Sequence, residues 1–364
     1  VPAIAVAAEL RASGAEVSFL GTRERIEAEL VPAAGYEIDF LEVRGIDRRN
    51  PLRAARAVAE AVAATGAASR AIRRRGAGVV LGGGGFVAGP AGMAATLRRT
   101  PLVLTEADSH LGLANRLLAG RAKRVCLAFP IAGRDAERYL VTGRPVPDAV
   151  LHADRKQARR RFHIDRDARC LLVMGGSQGA RSINLAAIEA FAEDERPRDF
   201  HVIHLAGRRD YEELKQRLAA APSRERYTLL AYEPNLGDVL GASDLVLARS
   251  GGSIFEVTAT GRPALLVPYP HATADHQTAN AAWMVDAGAA EVVEDTLLSA
   301  PLLAGRVSSL FGDESRLAAM AAASAALARP NAARTIADEV LAAAGALASG
   351  VPYGPTGEKR RTGT

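Results

Sequence analysis

The chain is short of several residue types, and each shortage narrows what it can be. It has two cysteines in 364 residues, Cys126 and Cys170, each inside an apolar, strand-like run. A disulfide-rich scaffold is thereby excluded, and two buried, reduced thiols are expected, as in a cytoplasmic protein. Aromatic residues make up 5% of the chain and are not interleaved with its basic residues. No nucleic acid is expected as a partner, because rings for base stacking do not accompany the cations. No apolar run reaches the roughly 18 residues of a membrane span. The uncharged stretch 76–97 carries eight glycines, and the one beginning at Val340 is broken by Pro352 and Pro355. No signal peptide is visible at the first residues.

What is present is ordinary soluble composition with an uneven charge. Basic residues number 46 against 41 acidic ones. Between Arg44 and Arg75, however, nine arginines face only Asp47 and Glu60. A solvated helix face is one reading of that patch. Attraction to an anionic membrane surface or a pyrophosphate substrate is the other.

The length predicts two domains of roughly 100–200 residues. Val1–Leu10 reads as a helix already under way, stopped by Gly14. A doubly wound domain ordinarily opens with a strand and a glycine turn before its first helix, so both are expected to be missing here. Strands are predicted at 16–21, 36–42, 77–81, 101–104, 124–128 and 139–141, with helices between them. A second series follows at 170–174, 200–206, 227–231, 244–248, 263–267 and 290–293. Alternating strands and helices predict parallel sheets with right-handed crossovers, which bind ligands beyond the carboxyl ends of their strands. The fold class is therefore α/β, with two Rossmann-like halves. The expected division is a first domain over 1–143, a linker over 144–165 at the Pro145 and Pro147 breaks, and a second domain over 166–330. A C-terminal helix at 331–348 and a disordered tail at 349–364 complete it.

Two glycine turns lie on one strand edge of the second half. The first is Gly175-Gly176-Ser177-Gln178-Gly179, after an apolar strand. The second is Arg249-Ser250-Gly251-Gly252, after Leu245–Ala248. A strand, a tight glycine turn and a helix together aim backbone N–H groups and a helix dipole at an anion. One such turn is a weak signal, whereas two converging suit a diphosphate. Glu256, in the helix after the second turn, could chelate the two hydroxyls of a ribose. Downstream, His271, Asp275 and His276 invite a zinc reading, but they do not share one helical face. Gln277 and Asn280, three residues apart, suit hydrogen bonds to a sugar, with a capped polar helix start as the plain alternative. In the first half, Gly82–Gly85 and the Glu106/Asp108 pair occupy the corresponding edge.

These motifs resemble the MurG family of glycosyltransferases, within glycosyltransferase family 28. The resemblance is carried by Gly175–Arg181, Arg249-Ser250-Gly251 with Glu256, and Pro270-His271-Ala272 with Asp275, His276, Gln277 and Asn280. Upstream, Gly82–Pro90 and Glu106 with Gly112, Leu113 and Asn115 also match. The resemblance implies a GT-B fold, two Rossmann-like domains facing a cleft. It implies transfer of N-acetylglucosamine from UDP-N-acetylglucosamine to the C4 hydroxyl of the muramoyl sugar of lipid I, with inversion, giving lipid II. Donor-binding roles then fall to Gly175, Gly176, Ser177, Gln178, Gly179, Arg249, Ser250, Gly251, Glu256, Gln277 and Asn280. Acceptor-binding roles fall to Gly84, Phe86, Asn115 and Arg144. The family's Gly-Gly-Thr-Gly-Gly-His loop would precede Val1, leaving Glu106 and Asp108 as candidate proton acceptors. Arg144 stands where the family usually has asparagine. No cofactor is implied, and no Asp-x-Asp pair of the kind that holds a metal–diphosphate is expected. The implied place of work is the cytoplasmic face of the plasma membrane, as a peripheral protein. Two other readings remain open: a UDP-sugar-binding remnant without turnover, and a related GT-B enzyme or UDP-N-acetylglucosamine epimerase.

Overall fold

A computed structural model describes residues 2–43, 51–176, 179–195, 199–272 and 275–349, with the side chains of 51–59 and 346–349 left aside. The chain divides into two compact units. One comprises residues 3–142 together with the segment from Ala333 onward, and the other comprises 143–332.

The first unit contains β1 (Ser18–Gly21), β2 (Glu37–Phe40), β3 (Val80–Gly82), β4 (Leu102–Glu106), β5 (Arg124–Leu127) and β6 (Tyr139–Val141). They form two parallel sheets, β1-β2 and β3-β4-β5-β6. Strands β4 and β5 are the most enclosed: Val103, Leu104, Val125 and Cys126 are at most 1% exposed. An uninterrupted apolar strand of this kind is what a parallel sheet covered on both faces requires. One covering layer combines the helices Pro2–Ala12 and Ala332–Ser349, whose Val6, Leu10, Ile336, Ala337 and Val340 share a core with Val103 and Cys126. Burial among these groups pushes the Cys126 thiol up to about 12, so it stays protonated.

The second unit holds β7 (Arg169–Met174), β8 (Phe200–Leu205), β9 (Tyr227–Leu230), β10 (Leu245–Ala248), β11 (Ala264–Leu266) and β12 (Ala290–Val292). They form one parallel sheet in the order β12-β11-β10-β7-β8-β9. The order reverses direction between β7 and β10, and a crevice at such a switch point is where open α/β sheets bind ligands.

The segment expected as a linker, 144–165, groups with the second unit. Its prolines do break the helical path, but Pro145 and Val146 are buried, and the helices Asp148–Leu151 and Arg155–Arg161 belong to the second unit. Arg155 pairs with Asp244 at 2.6 Å, and Arg159, 4% exposed, also reaches that carboxylate. Asp244 further accepts the Cys170 amide at 2.8 Å, so the segment is bolted to the start of the sheet. In the arginine patch, Arg74 and Arg75 are engaged by Asp39, and Arg75 also by Glu37. Its members from Arg44 to Arg56, like the tail from Gly350, lie outside the described residues or side chains. Among the described residues, no helix is long and apolar enough to cross a membrane.

Candidate active site

In the second unit, β7 and β10 lie side by side, with Met174 in register with Ala248. The two glycine turns therefore leave adjacent strands on the same edge of the sheet. Gly175, Gly176 and Gly179 are seen there, while Ser177 and Gln178 lie outside the described residues. Gly179 has φ +75°, and a Cβ on it would collide with the Ala206 carbonyl. Only glycine satisfies both the left-handed backbone and the close approach.

The second turn is held from below by side chains expected to face ligand. Arg249, 9% exposed, donates through Nη1 to the Val267 and Pro268 carbonyls at 3.0 and 3.1 Å. Its Nη2 donates to Ser182 Oγ at 2.8 Å, and its Nη1 pairs with Asp295 Oδ1 at 2.6 Å. Ser182 Oγ in turn donates to Asp295 at 2.6 Å, so helix Arg181–Ile188 after the first turn is tied to the second turn. Ser250 Oγ donates to the Gln277 carbonyl at 2.7 Å, and Asn280 Nδ2 donates to the Ser250 carbonyl at 3.1 Å. Ser250 and Asn280 are fully buried. Arg249, Ser250 and Asn280 thus shape the turn, whereas Gly251 and half-buried Gln277 lie at its surface. The Gln277 side chain accepts the Tyr269 amide at 3.0 Å, which turns its Nε2 towards Gly251.

Glu256 sits in the helix Ile254–Ala259, one turn past the glycines. Its Oε2 is buried with no hydrogen-bond partner. Burial pushes its carboxyl above the ordinary glutamate value, and the positive charge of Arg144 pulls it part of the way back.

A polar network that left no mark in the sequence supports the first turn. His204, inside β8 and fully buried, meets Tyr227 Oη at 2.7 Å through Nδ1 and Asn184 Oδ1 at 3.0 Å through Nε2. Asn184 Nδ2 donates to the Ala206 carbonyl and to Asp210, each at 2.8 Å. Because that amide group is the donor there, Asn184 Oδ1 must accept, which places the histidine proton on Nε2. Alternating apolar residues around His204 read as plain strand, so no sequence signal distinguishes it.

In the first unit, β3 and β4 are adjacent and parallel, and each ends at the edge carrying its motif. Gly84 precedes the helix Gly85–Arg98, and Phe86, 48% exposed, lies 5.0 Å beneath the Arg25 guanidinium. Glu106, an expected proton acceptor, closes β4. Its carboxylate already accepts four hydrogen bonds, from the amides of Ala107 (3.0 Å), Asp108 (3.3 Å) and Gly112 (2.8 Å) and from Asn115 Nδ2 (2.9 Å). With its lone pairs occupied and 8% of its surface exposed, Glu106 shapes the loop after β4. Asn115, 2% exposed, is that loop's second support and donates also to the Thr105 carbonyl at 2.9 Å. Asp108 is half-buried and has no side-chain partner among the described residues. The chain's Asp-x-Asp, Asp165 and Asp167, is exposed just before β7, at the sheet edge opposite the glycine turns.

The glycosyltransferase family 28 N-terminal domain matches residues 1–127, and the family's C-terminal domain matches residues 170–336. A UDP-N-acetylglucosamine–N-acetylmuramyl-(pentapeptide) pyrophosphoryl-undecaprenol N-acetylglucosamine transferase of Moorella thermoacetica is 39% identical over 350 residues, covering 93% of this chain and 94% of the relative. Its namesake from Nitrosococcus oceani is 40% identical over 344 residues, covering 93% and 94%. The chain belongs to glycosyltransferase family 28. The crystal structure of Acinetobacter baumannii MurG superposes with a TM-score of 0.76 at 29% identity, covering 93% of this chain and 95% of that one. A putative UDP-N-acetylglucosamine 2-epimerase from Listeria monocytogenes, at 16% identity and TM-score 0.69, shares the fold. Family 28 membership accounts for the two doubly wound units of the GT-B fold, and it locates the motif-bearing turns within the C-terminal family domain. One expected acceptor residue of this family 28 chain falls elsewhere: Arg144 lies in the second unit, with its guanidinium against Gly252. The chain passes from β6 into the second unit at Gly143, so Arg144 is carried to the turn at Gly252.

Proposed function

We propose that this chain transfers N-acetylglucosamine from UDP-N-acetylglucosamine to the C4 hydroxyl of the muramoyl sugar of lipid I, yielding lipid II and UDP. The observation that carries this reading is the combination of near full-length relatives of that name with paired glycine turns on adjacent strands. In the transfer, the C4 oxygen bonds to the anomeric carbon from the face opposite the diphosphate. The hydroxyl proton passes to a base, the anomeric C–O bond breaks, and its electron pair leaves with UDP. The leaving diphosphate gathers negative charge, which backbone N–H groups of Gly176 and Gly251 are suited to stabilise, while the Gly179 amide closes the first turn on the Gly176 carbonyl at 3.0 Å. Glu256 holds the ribose hydroxyls and Gln277 the sugar. Asp108 is the base within the acceptor-binding unit, alongside Gly84 and Phe86 as acceptor contacts. Its unpartnered carboxylate supports the assignment.

With UDP-N-acetylglucosamine and a lipid I analogue, UDP release is expected only when both are present. Glu256→Ala should weaken UDP binding by calorimetry on the order of tenfold or more, because a charged acceptor loses its hydroxyls. Asp108→Asn should lower kcat by about 100-fold or more while leaving UDP binding intact. Conversion of UDP-N-acetylglucosamine without acceptor would show an epimerase instead. Unchanged UDP affinity in Glu256→Ala would remove the donor-site assignment.

A lipid-linked acceptor calls for a membrane-facing surface in the same unit. Leu97 and Leu117, 71% and 61% exposed, project from the packed helices Gly85–Arg98 and Leu113–Leu118 beside the exposed Arg98 and Arg116. Apolar side chains ringed by cations suit an anionic lipid interface. The protein is expected to co-sediment with vesicles containing anionic phospholipid, and the double variant Leu97→Ser/Leu117→Ser is expected to lose most of that binding. Equal sedimentation of the two would move the contact elsewhere.

A further inference from the structure

Three observations converge on Arg144. Its guanidinium lies so close to Gly252 that any Cβ there would overlap its terminal nitrogens and Cζ. Its Nε is buried with no hydrogen-bond partner, and the group makes no contact ion pair among the described residues. Glu256, one turn into the helix that begins after Gly252, likewise keeps a buried Oε2 without a partner. A buried guanidinium nitrogen and a buried carboxylate oxygen on two half-buried side chains, each without a protein partner, are costly unless something completes them.

Resting on the donor-site reading above, we infer that Arg144 is a positioning residue for the nucleotide sugar. Its guanidinium is the counter-charge of Glu256 and the wall against which the Gly252 turn is set, so that the ribose hydroxyls meet an ionised acceptor. Residue 252 is glycine because a side chain would displace that guanidinium. A simple ion pair would occupy the carboxylate, as four donors occupy Glu106. Keeping Arg144 at attraction distance without a direct bond leaves Glu256 Oε2 open to a ligand hydroxyl.

Among the described residues, no charged side chain on the helices packed against the helix of Glu256 competes for the role. The elements packed on the helix Ile254–Ala259 include Asp148–Leu151, Leu236–Ala242 and Glu314–Ala326. Their charged groups are engaged elsewhere: Asp148 with His152, Asp238 with Arg161, Glu314 with Arg169, and Arg316 with Glu291. Burial pushes the Glu256 carboxyl up, and Arg144 is the charge that opposes it.

The test has a ligand-free arm and a ligand arm. The carboxyl carbon of Glu256, assigned by NMR of the carbon-13-labelled protein with Glu256→Gln as reference, is titrated in the unmodified chain, Arg144→Gln and Arg144→Lys. Its midpoint should move upward in Arg144→Gln and return in Arg144→Lys. In the second arm, UDP is titrated calorimetrically at pH 6 and pH 8.5. Arg144→Gln should bind UDP on the order of tenfold more weakly at pH 6, with the defect shrinking at pH 8.5 as Glu256 ionises. Gly252→Ala, which evicts the guanidinium, should reproduce that profile. An unmoved Glu256 midpoint overturns the inference, as does a UDP defect that is equal at both pH values and not rescued by lysine. If Arg144→Gln does not fold, Arg144→Lys and Gly252→Ala carry the same comparison. Should the unmodified protein fail to bind UDP, the donor-site reading falls, and the inference falls with it. Weakening by Glu256→Gln alone, with Arg144→Gln indistinguishable from the unmodified chain, overturns only the inference.

Discussion

Gly179→Ala is expected to abolish measurable UDP binding and to destabilise the second unit by about 3 kcal/mol, the sum of two penalties. The left-handed backbone, φ +75°, costs an L-residue roughly 1–2 kcal/mol. The new Cβ would also be driven into the Ala206 carbonyl, an overpacking worth about 1–3 kcal/mol. That carbonyl already accepts Asn184 Nδ2 at 2.8 Å, so moving it disturbs the network under the turn. Gly176→Ala supplies the control. Gly176 is equally left-handed, with φ +86°, but nothing lies within 4 Å of its Cβ position. It should suffer the backbone penalty alone and keep UDP affinity within about tenfold of the parent chain. Urea denaturation and calorimetry on the pair would separate conformation from collision. Equal losses at both positions would mean that the Ala206 contact does not hold the turn.

His204→Gln should flatten the acid sensitivity of the protein. The imidazole is enclosed, and burial pushes it down to about 3, well below its ordinary 6.5. The folded chain therefore leaves it neutral where the unfolded chain protonates it. A depressed value in the folded state makes stability fall as pH drops below about 6.5, at up to about 1.4 kcal/mol per pH unit, until the folded value is reached. Between pH 6.5 and 4.5 the unmodified chain should lose about 2 kcal/mol more than His204→Gln. Urea unfolding at those two pH values reads the difference. Parallel loss in both proteins would show that the imidazole shares no such linkage.

Much of the architecture could be read from periodicity, because a buried parallel strand needs a continuous apolar run. Strands such as Cys170–Met174 and Leu245–Ala248 admit no other use inside a covered sheet. The pairing of the two glycine turns followed from that alternation alone. What sequence could not supply is which polar atoms are already occupied by protein. Glu106 and Asp108 look equivalent as letters, yet among the described residues four donors converge on one and none on the other. Arg249 and Asn280 read as ligand contacts because they flank the right turns. Their partners, Asp295 and the Ser250 carbonyl, come from segments 46 and 30 residues away. Arg144 reads with the acceptor residues because it stands where the family usually has asparagine. Only the three-dimensional path shows it at Gly252. Pro145 and Pro147 end a helix without loosening the chain, since neighbouring Val146 and Val150 are buried.

The second unit enters at Gly143 and leaves at Ala332, and these two points touch: a Cβ on Gly143 would come within 2.7 Å of Arg329 Cγ and 3.8 Å of Ala332 Cβ. Topologically it is a guest domain spliced into a host. The host is finished only by the last stretch of polypeptide, where Glu339 meets Arg124 at 2.7 Å and Ile336 and Val340 seal its interior. A ribosome therefore completes residues 143–332 before the unit that begins ahead of them can close. Cutting the chain after Thr142 would liberate an unfinished host, while the guest, with its two ends already together, is the portion that excision would leave whole.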